Sequence, residues 1–76
     1  MSNENRKNYC VISYFEFFDD YITYRYYREC TDLESIVFYS KKWVEKNGFK
    51  YGTNKGIEIY EVKNGYYNLV YDKYYD

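Results

Sequence analysis

The sequence predicts an α+β fold of order ββαββ, in which a four-stranded antiparallel sheet carries one helix packed on one face. A central stretch, 31–48, repeats apolar residues at helical spacing, whereas the runs on either side are dense in β-branched and aromatic residues. The pair Asn64-Gly65 is the strongest short hairpin signal in the chain. We expect a flexible segment over residues 1–7 and a single domain over residues 8–76.

The first half of the chain predicts a β-hairpin with Asp19-Asp20 as its turn and strands near 8–18 and 21–30. Alternation along the strands sorts the side chains between two faces. The face expected beneath the helix carries Val11, Ser13, Phe15, Phe17, Ile22, Tyr24 and Tyr26. The other face carries Tyr14, Glu16, Tyr21, Thr23, Arg25, Tyr27 and Glu29.

The central stretch predicts a helix that begins with a capping box of Thr31 and Glu34 and ends at Gly48. Segment 49–56 is predicted to be a polar connection, because it has glycines and no periodicity. Phe38 is expected to point away from the sheet. The apolar stripe of the helix consists of Leu33, Ile36, Val37, Ser40, Val44 and Asn47.

The last third of the chain predicts a second hairpin around Asn64-Gly65. This turn sets three expected cross-strand pairs, which are Val62 with Tyr67, Tyr60 with Leu69, and Ile59 with Val70. One face would then carry Ile57, Ile59 and Val70, and the other Tyr60, Val62, Tyr67, Leu69 and Tyr71. A β-bulge would re-sort these residues.

A single helix covers one face of such a sheet, so the opposite face must be solvated, dimeric or bound to a partner. That face is rich in Tyr, a residue favoured as a binding anchor because it has a large ring and a polar tip. Acidic residues surround it and form a charged rim. The predicted protein-binding residues are Tyr14, Glu16, Asp19, Asp20, Tyr21, Arg25 and Tyr27.

A basic and aromatic cluster supports an alternative, nucleic-acid binding, because lysines contact phosphates while aromatic rings stack on bases. Its residues are Lys41, Lys42, Trp43, Lys46, Lys50, Tyr51 and Lys55, interleaved also with Phe49. A solvated helix face explains the same lysines, which favour the negative end of the helix dipole. The near-neutral net charge of -1 and the pI of about 5.4 argue against a generally basic nucleic-acid binder.

The residues that usually carry catalysis or bind metals are scarce. The chain has no His, and its two cysteines, Cys10 and Cys30, are expected on opposite faces of the first hairpin as free thiols. It has no CxxC spacing, and the segment GTNKG lacks the length and context of a phosphate-binding loop. We therefore predict that the protein is not an enzyme and that it has no metal site and no cofactor.

Composition and the N-terminal residues suggest where the protein acts. Ala and Pro are absent while Lys, Asn, Ile, Tyr and Phe are abundant, a bias typical of AT-rich coding DNA. Together with the small size, this bias favours a gene of a phage or mobile element in a low-GC host. No apolar run approaches the roughly 18 residues of a membrane span, and MSNENRKN lacks a signal-peptide core. We therefore predict a cytoplasmic protein, located in the host cytoplasm if it is phage-encoded.

The functional hypothesis from sequence is a small non-catalytic module that inhibits a host nucleic-acid-processing or defence protein. An anti-CRISPR-like role falls within this hypothesis, and the expected partner is a host protein such as a nucleic-acid-binding enzyme. The first alternative is a small nucleic-acid-binding protein that uses the Lys41–Lys55 cluster. The second is a structural homodimer that pairs through the uncovered sheet face.

Overall fold

The chain folds into four strands and one helix in the computed structural model, which describes residues 6–75 except for the side chain of Phe49. The four strands form one antiparallel sheet in the order β2-β1-β3-β4, and the helix packs over β1, β2 and β3. This confirms the predicted ββαββ architecture. The elements are β1 (Lys7–Phe17), β2 (Asp20–Cys30), α1 (Leu33–Tyr51), β3 (Thr53–Lys63) and β4 (Tyr66–Tyr74).

The segment predicted to be flexible covers residues 1–7 at the N-terminus. Most of the segment 1–7 lies outside the described residues, although Lys7 is the first residue of β1. The one helix within residues 6–75 lacks the apolar length that a membrane span requires.

The first hairpin turns at Phe18-Asp19, so the predicted Asp19-Asp20 turn is wrong by one position. Phe15 pairs with Ile22 and Asp20 enters β2 opposite Phe17. The displacement shifts the pairing by two residues, which keeps every side chain on its predicted face. The face assignments are therefore confirmed although the predicted register is not.

The helix begins one residue later than the predicted capping box places it. Asp32 is the N-cap, and its Oδ1 accepts a hydrogen bond from the backbone N–H of Ser35 over 2.9 Å. This bond lowers the pKa of Asp32. An Asp at this position caps at least as well as Thr and also adds a negative charge at the positive end of the helix dipole. The role predicted for Thr31 is therefore wrong.

The helix also continues past Gly48, so the predicted stop there and the polar connection over 49–56 are wrong. α1 runs to Tyr51, and Gly52, whose N–H donates to the carbonyl of Gly48 over 2.8 Å, is the only residue before β3. The ring of Tyr51 packs on Phe15 with centroids 5.5 Å apart. This packing offsets the roughly 1 kcal/mol that a helical glycine costs.

The core lies between the helix and the central strands. Ile36 and Ser40 of the predicted stripe are fully buried, and Val37 and Val44 pack beside them. Leu33 is 37% exposed at the start of the helix, so the stripe begins later than predicted. The buried cluster consists of Tyr9, Val11, Cys30, Ile36, Ile57 and Ile59.

The second hairpin turns at Asn64-Gly65 as predicted, with both residues at positive φ. The expected pairs of Val62 with Tyr67 and of Tyr60 with Leu69 are confirmed. Beyond Leu69 the register shifts, so that Ile59 pairs with Tyr71 and not with the predicted Val70. Both Val70 and Tyr71 pack against the core. The face predicted for Tyr71 is therefore wrong, because the bulge turns that residue toward the helix side.

Candidate protein-binding face

The sheet face away from the helix carries a broad set of tyrosines, and we call it the open face. Tyr21 is 76% exposed, and Tyr27 and Tyr74 are more than half exposed. Strand order explains its breadth, because β1 and β3 are central neighbours and the two hairpins therefore share one surface. The open face comprises Tyr14, Glu16, Tyr21, Arg25, Tyr27, Glu58, Tyr60, Tyr67, Leu69, Asp72 and Tyr74.

Glu58 is the centre of a hydrogen-bond network on this face. The hydroxyls of Tyr14 and Tyr60 each donate to Oε1 of Glu58 over 2.9 Å, and the hydroxyl of Tyr74 donates to Oε2. These tyrosines belong to β1, β3 and β4, so one carboxylate fixes rings from three strands. Fixed rings lose less conformational freedom when a partner binds, which favours affinity.

The same network shifts the ionisation of its members. Burial alone would raise the pKa of Glu58, but the three tyrosine hydrogen bonds favour the carboxylate, and the net pKa is lowered. Burial and the bond to Glu58 raise the pKa of Tyr14 to about 12. The bond to Glu58 likewise raises the pKa of Tyr60 and of Tyr74. The phenols are thus held in the neutral, hydrogen-bond-donating form.

A second pair of tyrosines joins the two edge strands. The hydroxyls of Tyr27 on β2 and Tyr67 on β4 lie 3.0 Å apart, and their rings meet edge to face with centroids 6.4 Å apart. Beside this pair is a cavity of about 450 Å³ lined by Cys10, Ile12, Arg25, Tyr60 and Tyr67. A shallow apolar cavity among aromatic rings can accept one side chain of a partner.

These raised pKa values make folding sensitive to alkaline pH. The pKa of Tyr14 and that of Tyr27 are about 12 in the folded chain, against 10.0 ordinarily; for Tyr27 the main cause is the bond to Tyr67. A group whose pKa rises on folding stabilises the folded state below its unfolded pKa and loses that effect above its folded pKa. We expect the thermal midpoint to fall as pH rises from 10 to 12. A Tyr14→Phe, Tyr27→Phe variant should show a shallower fall, and an unchanged slope in that variant would contradict the assignment.

The predicted charged rim is only partly assembled around the open face. Glu16 lies there and its Oε1 is 4.0 Å from Nζ of Lys55. Arg25 is exposed on the same face. Asp19 lies in the turn, while Asp20 pairs with Phe17 and therefore shares the helix side of the sheet. The structure thus brings together Tyr14, Glu16, Tyr21, Arg25 and Tyr27 and leaves the two aspartates outside that face.

The predicted basic cluster is divided. Lys42, Lys46 and Lys50 follow at four-residue spacing along the exposed side of α1, with Lys41 exposed beside them. Lys42 is also 3.7 Å from Glu45. Lys55 belongs to β3 and faces Glu16, so it does not extend the helical row.

Trp43 and Tyr51, the aromatic members of that cluster, already pack against other aromatic rings of the chain. Trp43 stacks on Tyr24 with centroids 4.8 Å apart and on Tyr51 with centroids 5.8 Å apart. These rings form part of the layer between helix and sheet, where Tyr51 also touches Phe15. The side chain of Phe49 lies outside the described residues. A nucleic-acid base would have to compete with these existing ring contacts.

The cysteines lie on opposite faces, as predicted, and both are buried free thiols. Cys30 belongs to the core beneath the helix, whereas Cys10 lies opposite Tyr27 under the open face. Within residues 6–75, no group of three or more acidic, Cys or His side chains converges on a point where a metal would bind.

Sequence reasoning missed several residues of the open face. Glu58, Tyr60, Tyr67 and Tyr74 were not predicted site residues, although Tyr60 and Tyr67 were correctly placed on one face of the second hairpin. The order of the strands is what brings that face beside Tyr14 and Tyr27. Tyr74 reaches the face only because of the bulge at Val70.

The comparisons with known proteins add no relative to this description. No protein-family model matches the chain, and neither the curated proteins nor the solved structures contain a match to it.

Proposed function

We propose that this protein is a small non-catalytic binding module that docks on a host protein through its open face. In this proposal it is encoded by a phage or mobile element and inhibits a nucleic-acid-processing or defence enzyme of the host. The observation that carries the proposal is the uncovered sheet face, where tyrosines from all four strands are exposed or held by shared hydroxyl hydrogen bonds.

The chemistry of this face suits a protein partner. Tyrosine offers a large contact area with few rotatable bonds, and its hydroxyl stays satisfied at an interface. Glu58 and Asp72 face each other across β3 and β4, and no ion pair joins either to a described cation. Their negative charge complements a basic surface of the kind that nucleic-acid-processing proteins present.

The test uses two exposed tyrosines that are neighbours on β4 but lie on opposite faces. Tyr67 is on the open face and 51% exposed, while Tyr66 pairs with Lys63 on the helix side and is 73% exposed. A tagged chain would be used to capture partners from a nuclease-treated lysate of a low-GC bacterium, and the affinity of the purified partner measured. We expect Tyr67→Ser to weaken binding by about 30-fold, the effect of losing one anchor residue, and Tyr66→Ser to leave it unchanged.

Each alternative predicts a different result with the same variants. Capture from an untreated lysate that disappears after nuclease treatment, and that Lys46→Gln weakens while Tyr67→Ser does not, would contradict the proposal and indicate nucleic-acid binding by the helical lysines. A dimeric mass in light scattering that Tyr67→Ser converts to a monomeric mass would contradict it in favour of a homodimer. Equal loss of binding in Tyr66→Ser and Tyr67→Ser would also contradict the assignment of the face.

A further inference from the structure

The tip of the first hairpin exposes the rings of Phe17 and Phe18, which do not belong to the open face. We call residues 17–21 the hairpin tip. Phe18 is 83% exposed, and Phe17 and Tyr21 beside it are also exposed. The rings of Phe17 and Phe18 meet edge to face with centroids 4.6 Å apart. Contiguous exposed apolar side chains are a feature of surfaces that bind other proteins.

The backbone at Phe18 is unfavourable for a second, independent reason. Its φ is 58°, a left-handed conformation that glycine adopts freely and that costs a bulky residue about 1–2 kcal/mol. Two-residue hairpin turns normally place Gly, Asn or Asp where φ is positive, as the second hairpin does with Asn64 and Gly65. Apart from its contact with the ring of Phe17, the Phe18 side chain is exposed, and its positive φ disfavours the turn. Strain of this kind is concentrated at functional sites.

The base of the tip is held firmly. Gly52 packs so closely that a Cβ there would lie 2.5 Å from the carbonyl oxygen of Glu16 and 3.1 Å from Cβ of Phe17. Glu16 also pairs with Thr53 in the sheet and with Lys55 through its side chain. The aromatic rings are therefore presented from a fixed support, which reduces the entropy lost on binding.

The charge at the tip indicates what kind of surface it fits. Asp19 and Asp20 directly follow Phe18 in the chain, and no described Lys or Arg forms an ion pair with either carboxylate. Lys55, the cation bonded at the base, is paired with Glu16. An exposed ring next to two carboxylates that pair with no described cation complements an apolar pocket rimmed by Lys or Arg. The same carboxylates would be repelled by an anionic lipid surface.

We propose that the hairpin tip is an anchor that inserts Phe18 into an apolar pocket with a cationic rim on the protein partner. This inference rests on the proposed function and extends it, because Tyr21 connects the tip to the open face. The partner would then contact two continuous surfaces, one broad and rich in tyrosine, the other a narrow protruding anchor.

The test places the photoreactive residue p-benzoylphenylalanine at position 18 of the full chain. After irradiation in nuclease-treated lysate, the cross-linked peptide would be identified by mass spectrometry. We expect it to come from a pocket with an aliphatic or aromatic floor and at least one Lys or Arg on its rim. The same probe at Phe38, which is also exposed but lies on the helix, should not cross-link to that protein.

A substitution separates binding from folding. Phe18→Gly removes the ring and relieves the positive φ, so the thermal midpoint should rise by roughly 4–8 °C per kcal/mol recovered. Affinity for the partner should fall by about 30-fold or more. A residue needed for the fold would show the opposite change in stability, with a lower midpoint.

The outcomes distinguish failure of this inference from failure of the proposed function. A cross-link from a probe at position 27 but none from position 18, with unchanged affinity in Phe18→Gly, would overturn the anchor and leave the open face. No protein cross-link from either position would overturn both. Phe18-dependent flotation with phosphatidylcholine vesicles would overturn the anchor in favour of a lipid-inserting tip.

Discussion

Replacing Gly52 by Ala should be among the most destabilising single changes in this chain. Gly52 has φ 112° and ψ -157°, a region that is essentially restricted to glycine. A Cβ would also lie 2.5 Å from the carbonyl oxygen of Glu16, which belongs to paired backbone and cannot rotate away. We expect a loss of about 3 kcal/mol in the free energy of unfolding, measured by urea denaturation.

The matched control for this change is Gly48→Ala. Gly48 lies inside α1, and a Cβ there would meet nothing within 4 Å. Alanine should therefore raise the free energy of unfolding by about 0.5–1 kcal/mol, since it is the better helix former. Equal stability of the two variants would contradict the conclusion that the helix passes through Gly48 and ends at Gly52.

The second large effect is expected at the centre of the open face. Glu58→Ala removes the acceptor of three tyrosine hydroxyls, and the loss should be about 1–3 kcal/mol, since these are hydrogen bonds to a charged group that remain partly accessible to water. The pKa of Glu58 is lowered on folding, so its contribution is present above the ordinary value of 4.5 and is lost as pH falls through the folded value. Urea denaturation at neutral and acidic pH would measure both the loss and its disappearance in acid.

Asp72→Asn is the control for the Glu58 substitution. Asp72 lies directly opposite Glu58 on the same face, and no described tyrosine donates a hydrogen bond to it. Its removal should leave stability unchanged or raise it by a few tenths of a kcal/mol, because like charges facing across strands are unfavourable. If Asp72→Asn were as destabilising as Glu58→Ala, general charge and not the tyrosine network would be responsible.

The faces of the first hairpin were predictable from alternation, but its register was not. Turns at Phe18-Asp19 and at Asp19-Asp20 give the same division of residues between the two faces, so the hydrophobic pattern cannot distinguish them. Turn chemistry favoured the aspartates, and the observed turn instead accepts a strained Phe18. The disagreement falls at the residue to which we assign a binding role, where local preference and function are expected to conflict.

The predictions of the helix end and of the register of the second hairpin were wrong for a different reason. Both features depend on contacts between residues that are distant in the sequence. Gly48 resembles a helix stop locally, yet the packing of Tyr51 on Phe15 extends the helix by another turn. The bulge at Val70 likewise follows from packing of Val70 and Tyr71 on the core. Local sequence carries little information about either contact.

Only the part of the candidate site that lies on the first hairpin could be predicted from the sequence. Tyr14 and Tyr27 followed from the alternation of a single hairpin, which is local information. Glu58 and Tyr67 joined them only through the strand order β2-β1-β3-β4, which no short-range pattern in the sequence specifies. The network around Glu58 therefore emerges from topology.

The most direct test of the open face is hydroxyl-radical footprinting of the tyrosines in the free chain and in its complex with the captured partner. We predict that oxidation of Tyr27, Tyr67 and Tyr74 slows strongly on binding, while that of Tyr66 on the helix side is unchanged. Protection of Tyr66 and of Phe38 on the helix, with the open-face tyrosines still reactive, would contradict the central claim and assign binding to the other side of the molecule.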